Sequence, residues 1–264
     1  MSGKIAIIGG GNLGQAIAEG LLFSKFCKPA DIIITKRNVA TLESLRKRGM
    51  TVTSDNSMAV KQAGLIILAV KPFQVSDVLK GCKKELHSGH VLVSVVTGVS
   101  IRDMEEIIAK KLAVCRAMPN TAIAIRQSMT CLSFSQAREE QVQRVKDIFL
   151  RLGKVAVIDE KLMDAATVLG ACGTAYAMRY IRANIQGGIE IGFDAATASL
   201  IAAQTVKGAA DLLLEKGSHP EQEIDKVTTP KGCTIAGLNE MEHQGFSSSL
   251  IKGISASFQK IVRG

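Results

Sequence analysis

The chain has few aromatic residues and no tryptophan at all. Aromatic side chains make up only 4% of its 264 residues. The formal net charge of +9 would suit a nucleic-acid-binding protein, but such proteins usually show a basic patch together with stacking aromatics or a recognisable motif. Here Lys and Arg are scattered and no such motif occurs. We expect a small-molecule partner and no nucleic acid, since a polyanionic ligand would benefit from the same positive field.

Paired cysteines and clustered histidines are also lacking. The six cysteines include no Cys-x-x-Cys pair, and the four histidines form no cluster with them. This spacing is typical neither of a disulfide framework nor of a zinc site, so we predict no metal and reduced, intracellular thiols. The apolar run Ile5–Ile8 is too short for a signal peptide or a membrane span. We expect a cytoplasmic protein with no membrane partner.

Short apolar runs alternate with amphipathic stretches through the first part of the chain. The predicted strands are residues 4–8, 32–35, 50–53, 65–70, 91–96 and 113–116. Strands that alternate with helices in this way are typical of an α/β fold with a doubly wound, mostly parallel sheet. Two further strand-like runs, 129–134 and 154–158, flank a polar helix at 136–152. We predict an NADP-binding Rossmann domain over residues 1–159.

From residue 160 onward the strand pattern disappears. Small and apolar residues recur on nearly every turn of residues 162–191 and 195–214, and residues 246–262 form a last amphipathic segment. This density exceeds what a single helical layer can bury by itself. We predict that residues 160–264 form an all-helical domain for substrate binding and dimerisation, packed against another subunit.

A glycine-rich turn follows the first predicted strand. Gly9-Gly-Gly11-Asn12-Leu13-Gly14 has the spacing G-x-G-x-x-G, with a strand before it and a helix after it. Glycines at these positions permit a tight turn and close approach of the backbone to a pyrophosphate, whose charge the helix N-terminus stabilises. The context favours dinucleotide binding by these residues over a purely structural turn.

The residues after the second strand indicate which dinucleotide binds. An NAD site usually has Asp or Glu here to bind the ribose 2′-OH, whereas this chain has Thr35-Lys36-Arg37-Asn38. Lys and Arg bind a 2′-phosphate through charge-assisted hydrogen bonds, and a carboxylate would repel it. We predict NADP(H) as the cofactor, with NAD(H) as the alternative, and place Thr35, Lys36 and Arg37 in its site.

Three further segments should reach the same edge of the sheet. The ends of the fourth and fifth strands are expected beside the nicotinamide and its ribose. A surface or turn role is the equal alternative for Lys71 and Thr97. Asn56 opens the helix after the third strand, either as its N-cap or as a contact to the adenosine half. The residues assigned to this part of the site are Asn56, Ala69, Val70, Lys71, Pro72 and Thr97.

Near the C-terminal end, Lys226-Val-Thr-Thr-Pro-Lys-Gly-Cys-Thr234 predicts a turn before a helix. Thr234 is well placed to cap that helix. The free backbone N–H groups and the positive dipole end of a helix start suit a small carboxylate or phosphate. On this stretch alone, an ordinary loop with an N-cap is the simpler interpretation.

Five segments, in one order along the whole chain, carry a resemblance to a known family. They are Gly9-Gly-Gly-Asn-Leu-Gly14, Ala69-Val-Lys-Pro72, Arg116-Ala-Met-Pro-Asn-Thr121, Ala202-Ala-Gln-Thr205 and Thr229-Pro-Lys-Gly-Cys-Thr-Ile235. With them the chain resembles the pyrroline-5-carboxylate reductases, and the third and fifth segments are the most specific. The resemblance implies NAD(P)H-dependent reduction of 1-pyrroline-5-carboxylate to L-proline, the last step of proline biosynthesis. It also implies a homodimer, often assembled into a ring such as a decamer, in which partner helices complete the site.

The resemblance further implies roles for individual residues. Thr234 matches the family's substrate threonine, which can hydrogen-bond the ring nitrogen or the carboxylate. The backbone N–H groups of Gly232, Cys233 and Thr234 would hold the carboxylate, with the Thr229 hydroxyl beside them. Glu160 matches a position near the substrate amine, and its alternative is a helix-N-terminal acid favoured by the dipole. We assign catalysis to Thr234 and Glu160.

Two segments depart from the family pattern. Gly170-Ala-Cys-Gly-Thr-Ala-Tyr176 stands where members often have Ser-Gly-Ser-Gly-Pro-Ala-Tyr, and Lys231 stands where many have a second glycine. We expect Thr174 to straighten its helix and Cys172 to take the place of a substrate-facing serine. These differences leave the fine substrate range open.

Two other functions compete with this interpretation. A β-hydroxyacid dehydrogenase-like reductase would carry a catalytic lysine on the long helix that opens the helical domain, but residues 162–191 contain no lysine. A non-catalytic NADP(H)-sensing protein would keep the fold without the chemistry. The intact turn from Thr229 to Thr234 argues against the sensor, while the changes between Gly170 and Thr174 leave room for it.

Overall fold

A computed structural model describes residues 3–263 and contains one eight-stranded sheet. Its strands are β1 (Ile5–Ile8), β2 (Ile32–Thr35), β3 (Thr51–Thr53), β4 (Leu65–Leu68), β5 (Val91–Ser94), β6 (Ala113–Met118), β7 (Ser128–Ser135) and β8 (Gly153–Val157). They lie in the order β3-β2-β1-β4-β5-β6-β7-β8. The pairs from β3 to β6 are parallel, β7 is antiparallel to β6, and β8 is parallel to β7. The predicted mostly parallel sheet is confirmed.

Six helices cover the two faces of this sheet. They are α1 (Asn12–Phe23), α2 (Glu43–Lys47), α3 (Asn56–Gln62), α4 (Val75–Cys82), α5 (Ile101–Ile108) and α6 (Glu139–Leu150). Because side chains alternate along a strand, Ile5 and Ile7 join the core under α1, α2 and α6. Ala6 and Ile8 join the core under α3, α4 and α5. Strands buried on both faces explain the uninterrupted apolar runs, and each such side chain contributes about 1.5–3 kcal/mol by its burial.

Beyond β8 the chain becomes helical. A short 3-10 helix (Glu160–Leu162) leads into α7 (Met163–Ala166) and then into a π-helical segment, Thr167–Cys172. One compact unit ends at Cys172 and a second begins at Gly173. Segments of π-helix are rare and frequently occur at functional sites.

The predicted domain boundary after residue 159 differs from this division into compact units and stays a proposal.

The second unit consists of five helices with almost no core of their own. They are α8 (Gly173–Glu190), α9 (Ala195–Lys216), α10 (Pro220–Lys226), α11 (Cys233–His243) and α12 (Phe246–Arg263). Within residues 173–263, the buried apolar side chains are those of Ala198 and Ala202. Large apolar side chains such as Ile191, Leu200 and Leu214 are exposed in the single chain. In residues 3–263 no helix has the length and apolar character needed to cross a membrane.

A buried histidine lies just before β5. His90 is 2% exposed, its ring centroid is 3.8 Å from that of His87, and its Nδ1 accepts the His87 backbone N–H at 3.2 Å. Burial, followed by the neighbouring His87, lowers the pKa of His90 to about 4. The imidazole is therefore neutral in the folded protein at neutral pH.

This histidine should make the stability depend on pH in a defined window. A pKa that is lower in the folded than in the unfolded state adds stability above pH 6.5, which is lost as the pH falls toward 4. Between pH 7 and pH 4.5 we expect His90 to account for a loss of about 2 kcal/mol in the free energy of unfolding. His90→Asn should remove this part of the loss in urea titrations, because its amide oxygen can replace Nδ1. The control His87→Asn should keep most of it, and equal curves for His90→Asn and wild type would contradict the assignment.

Candidate functional site

The parallel strands end at a crevice of about 840 Å³. It lies where the strand order reverses, since β1 has β2 on one side and β4 on the other. Ligands of doubly wound sheets bind at such a point. The predicted cofactor residues that line it are Gly9, Gly11, Asn12, Leu13, Thr35, Lys36, Arg37, Asn56, Ala69, Val70, Lys71, Pro72 and Thr97. The structure thus brings these residues together, while the predicted Gly14 is buried in α1 and does not line the crevice.

Three glycines of the turn after β1 have different surroundings. Gly9 has φ +112°, and a Cβ there would lie 2.4 Å from the Ala69 carbonyl oxygen. A Cβ on Gly14 would lie 2.1 Å from the Gly9 carbonyl oxygen, so only glycine lets α1 pack this closely on the turn. A Cβ on Gly11 would meet no atom of residues 3–263 within 4 Å, apart from its two chain neighbours. The surface at Gly11 is therefore open to a ligand.

Helix α1 presents its N-terminus to this crevice. Its N-cap is Gly11, which has no side chain to bind the free N–H groups of the first turn. Asn12 and Leu13, the first two helical residues, line the crevice. Unpaired N–H groups and the positive dipole end favour an anion at this position. These observations fit the pyrophosphate of a dinucleotide.

The turn after β2 supplies positive charge at one end of the crevice. The Thr35 carbonyl accepts the N–H groups of Gly9 and Gly10 at 3.2 and 2.6 Å, which fixes this turn against the glycine turn. Lys36 and Arg37 follow directly and line the crevice, and the described lining contains no Asp or Glu. A basic turn without a carboxylate fits a 2′-phosphate better than a free ribose 2′-OH.

The start of α3 corrects one alternative from the sequence. The N-cap of this helix is Asp55, whose Oδ1 accepts the Met58 N–H at 3.0 Å. Asn56 is the first helical residue, so the alternative that it caps the helix is wrong. Since the cap is provided by its neighbour, the half-buried Asn56 is left to line the crevice.

The opposite end of the crevice is formed after β4 and β5. The Ala69 N–H donates to the Ile8 carbonyl at 2.8 Å and keeps this segment beside β1. The Gln74 side chain accepts the Lys71 N–H at 3.2 Å and closes the turn that contains Pro72. Thr97 follows β5 and is exposed at the crevice. This end is therefore held by backbone pairing and by one amide side chain.

Several lining residues were missed by the sequence prediction. They are Ile8, Gly10, Asn38, Ser54, Gln74, Val78, Val95 and Val96. Most lie beside a predicted residue, so the end of each parallel strand was the signal that could have found them. Gln74 could have been found as a polar residue two positions after Pro72.

A buried charge lies on β6, next to the crevice strands. The Arg116 side chain is 7% exposed, and its Nη1 donates to Glu160 Oε1 at 3.2 Å. Its Nη2 lies 3.8 Å from Asp164 Oδ1, and its Nε has no hydrogen-bond partner among the described atoms. The same Glu160 oxygen accepts the Ile101 N–H at 2.7 Å. The structure therefore places the predicted catalytic Glu160 in an ion pair at the start of α5.

The turn before α11 shows how the second predicted site is built. The Gly232 N–H donates to the Thr229 carbonyl at 2.9 Å, and a Cβ on Gly232 would lie 2.5 Å from Thr229 Oγ1. Gly232 is the N-cap of α11 and makes no side-chain cap bond. The prediction that Thr234 caps this helix is wrong, because Thr234 is its second residue. The Thr234 hydroxyl is therefore not the helix cap. Gly232 has no side chain that could accept a hydrogen bond from the first N–H groups of α11.

Lys231 has an unusual backbone conformation in this turn. Its φ is +61°, in the left-handed region where glycine is favoured and other residues cost on the order of 1 kcal/mol. This is the position where the family pattern often has glycine. The turn thus keeps the glycine-type conformation and adds an exposed positive charge beside the start of α11.

Comparison with known proteins then decides the family. A family model described as pyrroline-5-carboxylate reductase dimerisation matches residues 160–263, and one described as NADP oxidoreductase, coenzyme F420-dependent, matches residues 4–98. Pyrroline-5-carboxylate reductase 2 of Dictyostelium discoideum is 41% identical, across 97% of this chain and 91% of that relative. The chain belongs to the pyrroline-5-carboxylate reductase family. The predicted family is therefore confirmed.

Two further members of the family extend this comparison. Pyrroline-5-carboxylate reductase 1 of Dictyostelium discoideum is 49% identical across 97% of this chain, and the chain spans about half of that relative, 49% of its length. The crystal structure of Plasmodium falciparum pyrroline carboxylate reductase with NADP bound has a TM-score of 0.86 and 26% identity, covering 98% of this chain and 96% of that one. The Rossmann domain followed by a helical C-terminal part confirms the predicted fold class.

Proposed function

We propose that the chain reduces 1-pyrroline-5-carboxylate to L-proline with NADPH, as the last step of proline biosynthesis. The observation that carries this proposal is the crevice at the carboxyl edge of the sheet, with its glycine turn, open helix N-terminus and basic turn. Membership of the reductase family supplies the substrate class. The bound cofactor would supply a hydride from C4 of its nicotinamide ring.

The residues of the crevice fit NADP(H) in three places. The N–H groups of Asn12 and Leu13 would bind the pyrophosphate beside Gly11. Lys36 and Arg37 would bind the 2′-phosphate, and a carboxylate-free lining avoids repulsion of this group. The segments around Lys71 and Thr97 would enclose the nicotinamide end. NAD(H) remains the alternative cofactor.

The double substitution Lys36→Ala and Arg37→Ala should narrow the preference for NADPH over NADH. Loss of the charge-assisted contacts should reduce the ratio of the two kcat/KM values about tenfold. The matched control is Lys47→Ala with Arg48→Ala. It also removes one Lys and one Arg charge, but from residues that do not line the crevice. An unchanged ratio in the first double variant would mean that the 2′-phosphate is bound by other residues.

The turn before α11 is proposed as the substrate-binding turn. Backbone N–H groups of Gly232, Cys233 and Thr234 would bind the carboxylate, helped by the dipole of α11 and the Thr229 hydroxyl. Thr234 has a hydroxyl free of capping and would hydrogen-bond the ring nitrogen or the carboxylate. A protonated imine is already activated toward hydride, so positioning and electrostatics suffice and no strong general acid is needed.

The domain division and the oligomer belong to the same proposal. We place the functional boundary after residue 159, which is supported by a dimerisation model that begins at residue 160. The helices of the second unit expose Met178, Leu200 and Ile251 in the single chain, and burial of such side chains against a second copy would supply their missing core. We propose a homodimer that assembles further into a ring such as a decamer. Light scattering after size-exclusion chromatography measures the number of subunits directly, and a monomer would contradict the proposal.

A cytoplasmic location is proposed together with this function. The six cysteines carry free thiols, as is usual in a reducing compartment. Fractionation of cells that express the tagged chain tests this location.

One assay tests the proposed reaction. Purified protein should oxidise NADPH when 1-pyrroline-5-carboxylate is added, and should reduce NADP when given L-proline or thioproline at high pH. A 3-hydroxyacid serves as the control substrate and should give no signal. Absence of turnover with both imine and proline, in protein that still binds NADPH, would contradict the proposal and support the sensor alternative.

A further inference from the structure

An ion pair between the buried Arg116 and the partly exposed Glu160 connects the end of the crevice with the chain segment that leaves the sheet. The crevice residue Thr97 begins a turn that continues through Gly98, with φ +75°, to the α5 N-cap Ser100. Before the turn, Ser94 on β5 lies opposite Arg116 on β6. After it, the Ile101 N–H donates to Glu160. The strand that carries Arg116 thus pairs with the strand that leads into the turn, and the ion-pair partner Glu160 binds the first residue of the helix that follows the turn.

The contact at Ile101 is separate from the local cap of α5. Ser100 Oγ accepts the Asp103 N–H at 3.0 Å, and Asp103 in return accepts the Ser100 N–H at 3.0 Å. This reciprocal cap leaves the Ile101 N–H without an acceptor in its own helix. Glu160 supplies that acceptor from 59 residues further along the chain. The contact therefore joins two distant segments.

Arg116 fixes the carboxylate that makes this contact. Glu160 Oε1 accepts both the Arg116 Nη1, at 3.2 Å, and the Ile101 N–H, at 2.7 Å. The Arg116 side chain is 7% exposed, and a buried guanidinium group needs a hydrogen-bonded partner to offset its lost hydration. A carboxylate oxygen that accepts hydrogen bonds from two donors has a fixed position. Movement of Glu160 would therefore release the start of α5 and the turn before it.

We infer that Arg116 and Glu160 act together as positioning residues, which hold the Thr97–Ser100 turn in the form that binds the nicotinamide end of NADPH. The inference rests on the proposed function and gives Glu160 a role through the turn rather than through contact with the imine. Asn120 binds the chain beyond α7, since its Nδ2 donates to the Gly170 carbonyl at 3.2 Å. The Arg116-to-Asn120 motif thus holds the chain on both sides of α7.

Two readouts that do not need turnover test the inference. In Glu160→Ala, amide hydrogen exchange at residues 98–102 should become about tenfold faster, because one hydrogen bond of the turn is lost. The Kd for NADPH, measured by its fluorescence change on binding, should rise about three- to tenfold for the same reason. Glu160→Gln keeps an oxygen for the Ile101 N–H and should recover most of both values. This second variant also keeps a hydrogen-bond acceptor for Arg116, while Asp164, at 3.8 Å, stays as its charged neighbour.

A control and a double variant sharpen the result. Asp164→Asn removes the more distant partner of Arg116, at 3.8 Å, and should leave exchange at residues 98–102 unchanged. If Arg116 and Glu160 act as one unit, the double variant Arg116→Lys with Glu160→Ala should raise the Kd for NADPH no more than Glu160→Ala alone does.

The outcomes separate positioning from direct catalysis. Unchanged exchange and unchanged NADPH affinity in Glu160→Ala, with a lower kcat, would overturn the inference and assign Glu160 to the reaction itself. A double variant that binds NADPH clearly more weakly than Glu160→Ala alone would also overturn the inference. Faster exchange and weaker NADPH binding in a protein that does not reduce the imine would support the positioning role while contradicting the proposed reaction.

Discussion

Gly11→Ala should weaken NADPH binding by about 30-fold or more, a loss of about 2 kcal/mol, without changing the fold. Apart from its chain neighbours, the new methyl group would meet no atom of the described part of the chain within 4 Å, and φ −77° with ψ −171° at this position suits any residue. Among residues 3–263 the methyl group has no close neighbour outside its own chain neighbours, so it would contact a ligand in the crevice, where a pyrophosphate must approach the backbone closely. Fluorescence titration with NADPH measures the loss, and thermal unfolding checks that the fold is intact.

Gly14→Ala is the matched control, because it adds the same methyl group three residues later. Here the Cβ would lie 2.1 Å from the Gly9 carbonyl oxygen, so α1 would have to move away from the turn. We expect a loss of about 2–3 kcal/mol in the free energy of unfolding, as in other overpacked positions. If Gly11→Ala destabilised the fold as much as Gly14→Ala, or bound NADPH normally, the crevice would not hold the pyrophosphate at Gly11.

Thr234→Ala should lower kcat/KM for 1-pyrroline-5-carboxylate by about 10- to 100-fold, because a hydrogen bond to a charged group contributes about 1.5–3 kcal/mol. NADPH affinity should stay nearly unchanged, since Thr234 is the second residue of α11 and does not line the crevice. The hydroxyl is not needed for the cap, which Gly232 provides. Loss of activity would therefore report a contact with substrate, measured by initial rates at saturating NADPH.

Thr228→Ala is the control for this turn. The Thr228 hydroxyl donates to the Ile224 carbonyl at 2.8 Å, so its loss should affect stability more than turnover. Thr234→Ser keeps the hydroxyl and should recover most of the activity. Wild-type rates in Thr234→Ala would remove Thr234 from the proposed site.

The α/β half of the fold could be predicted because each strand is encoded locally. Leu65–Leu68 is buried on both faces, so its apolar run is visible without any knowledge of its neighbours. The prediction extended this strand to residue 70, because Ala69 and Val70 are apolar although they already belong to the turn. Pairing direction is not local. Nothing within residues 128–135 indicates that β7 runs antiparallel to β6.

The crevice could be predicted for a related reason. In a parallel sheet the carboxyl ends of the strands share one edge, so residues that end separate strands assemble without a further signal. The helix caps could not be predicted as well. Asp55 and Asn56 are adjacent and have similar N-cap preferences, and the choice between Gly232 and Thr234 depends on backbone angles. The Arg116–Glu160 pair joins residues 44 apart, a distance that no periodic pattern reports.

The small core of the second unit has a consequence for how the protein unfolds. Within residues 173–263, the buried apolar side chains are those of Ala198 and Ala202. The helices of this unit therefore gain little stability from contacts within their own chain. If a second copy supplies the rest, folding of this unit is coupled by mass action to association, and its melting temperature rises with protein concentration. The Rossmann unit has two cores of its own and needs no such partner. On dilution, the chain should therefore melt in two steps, with the helical unit first.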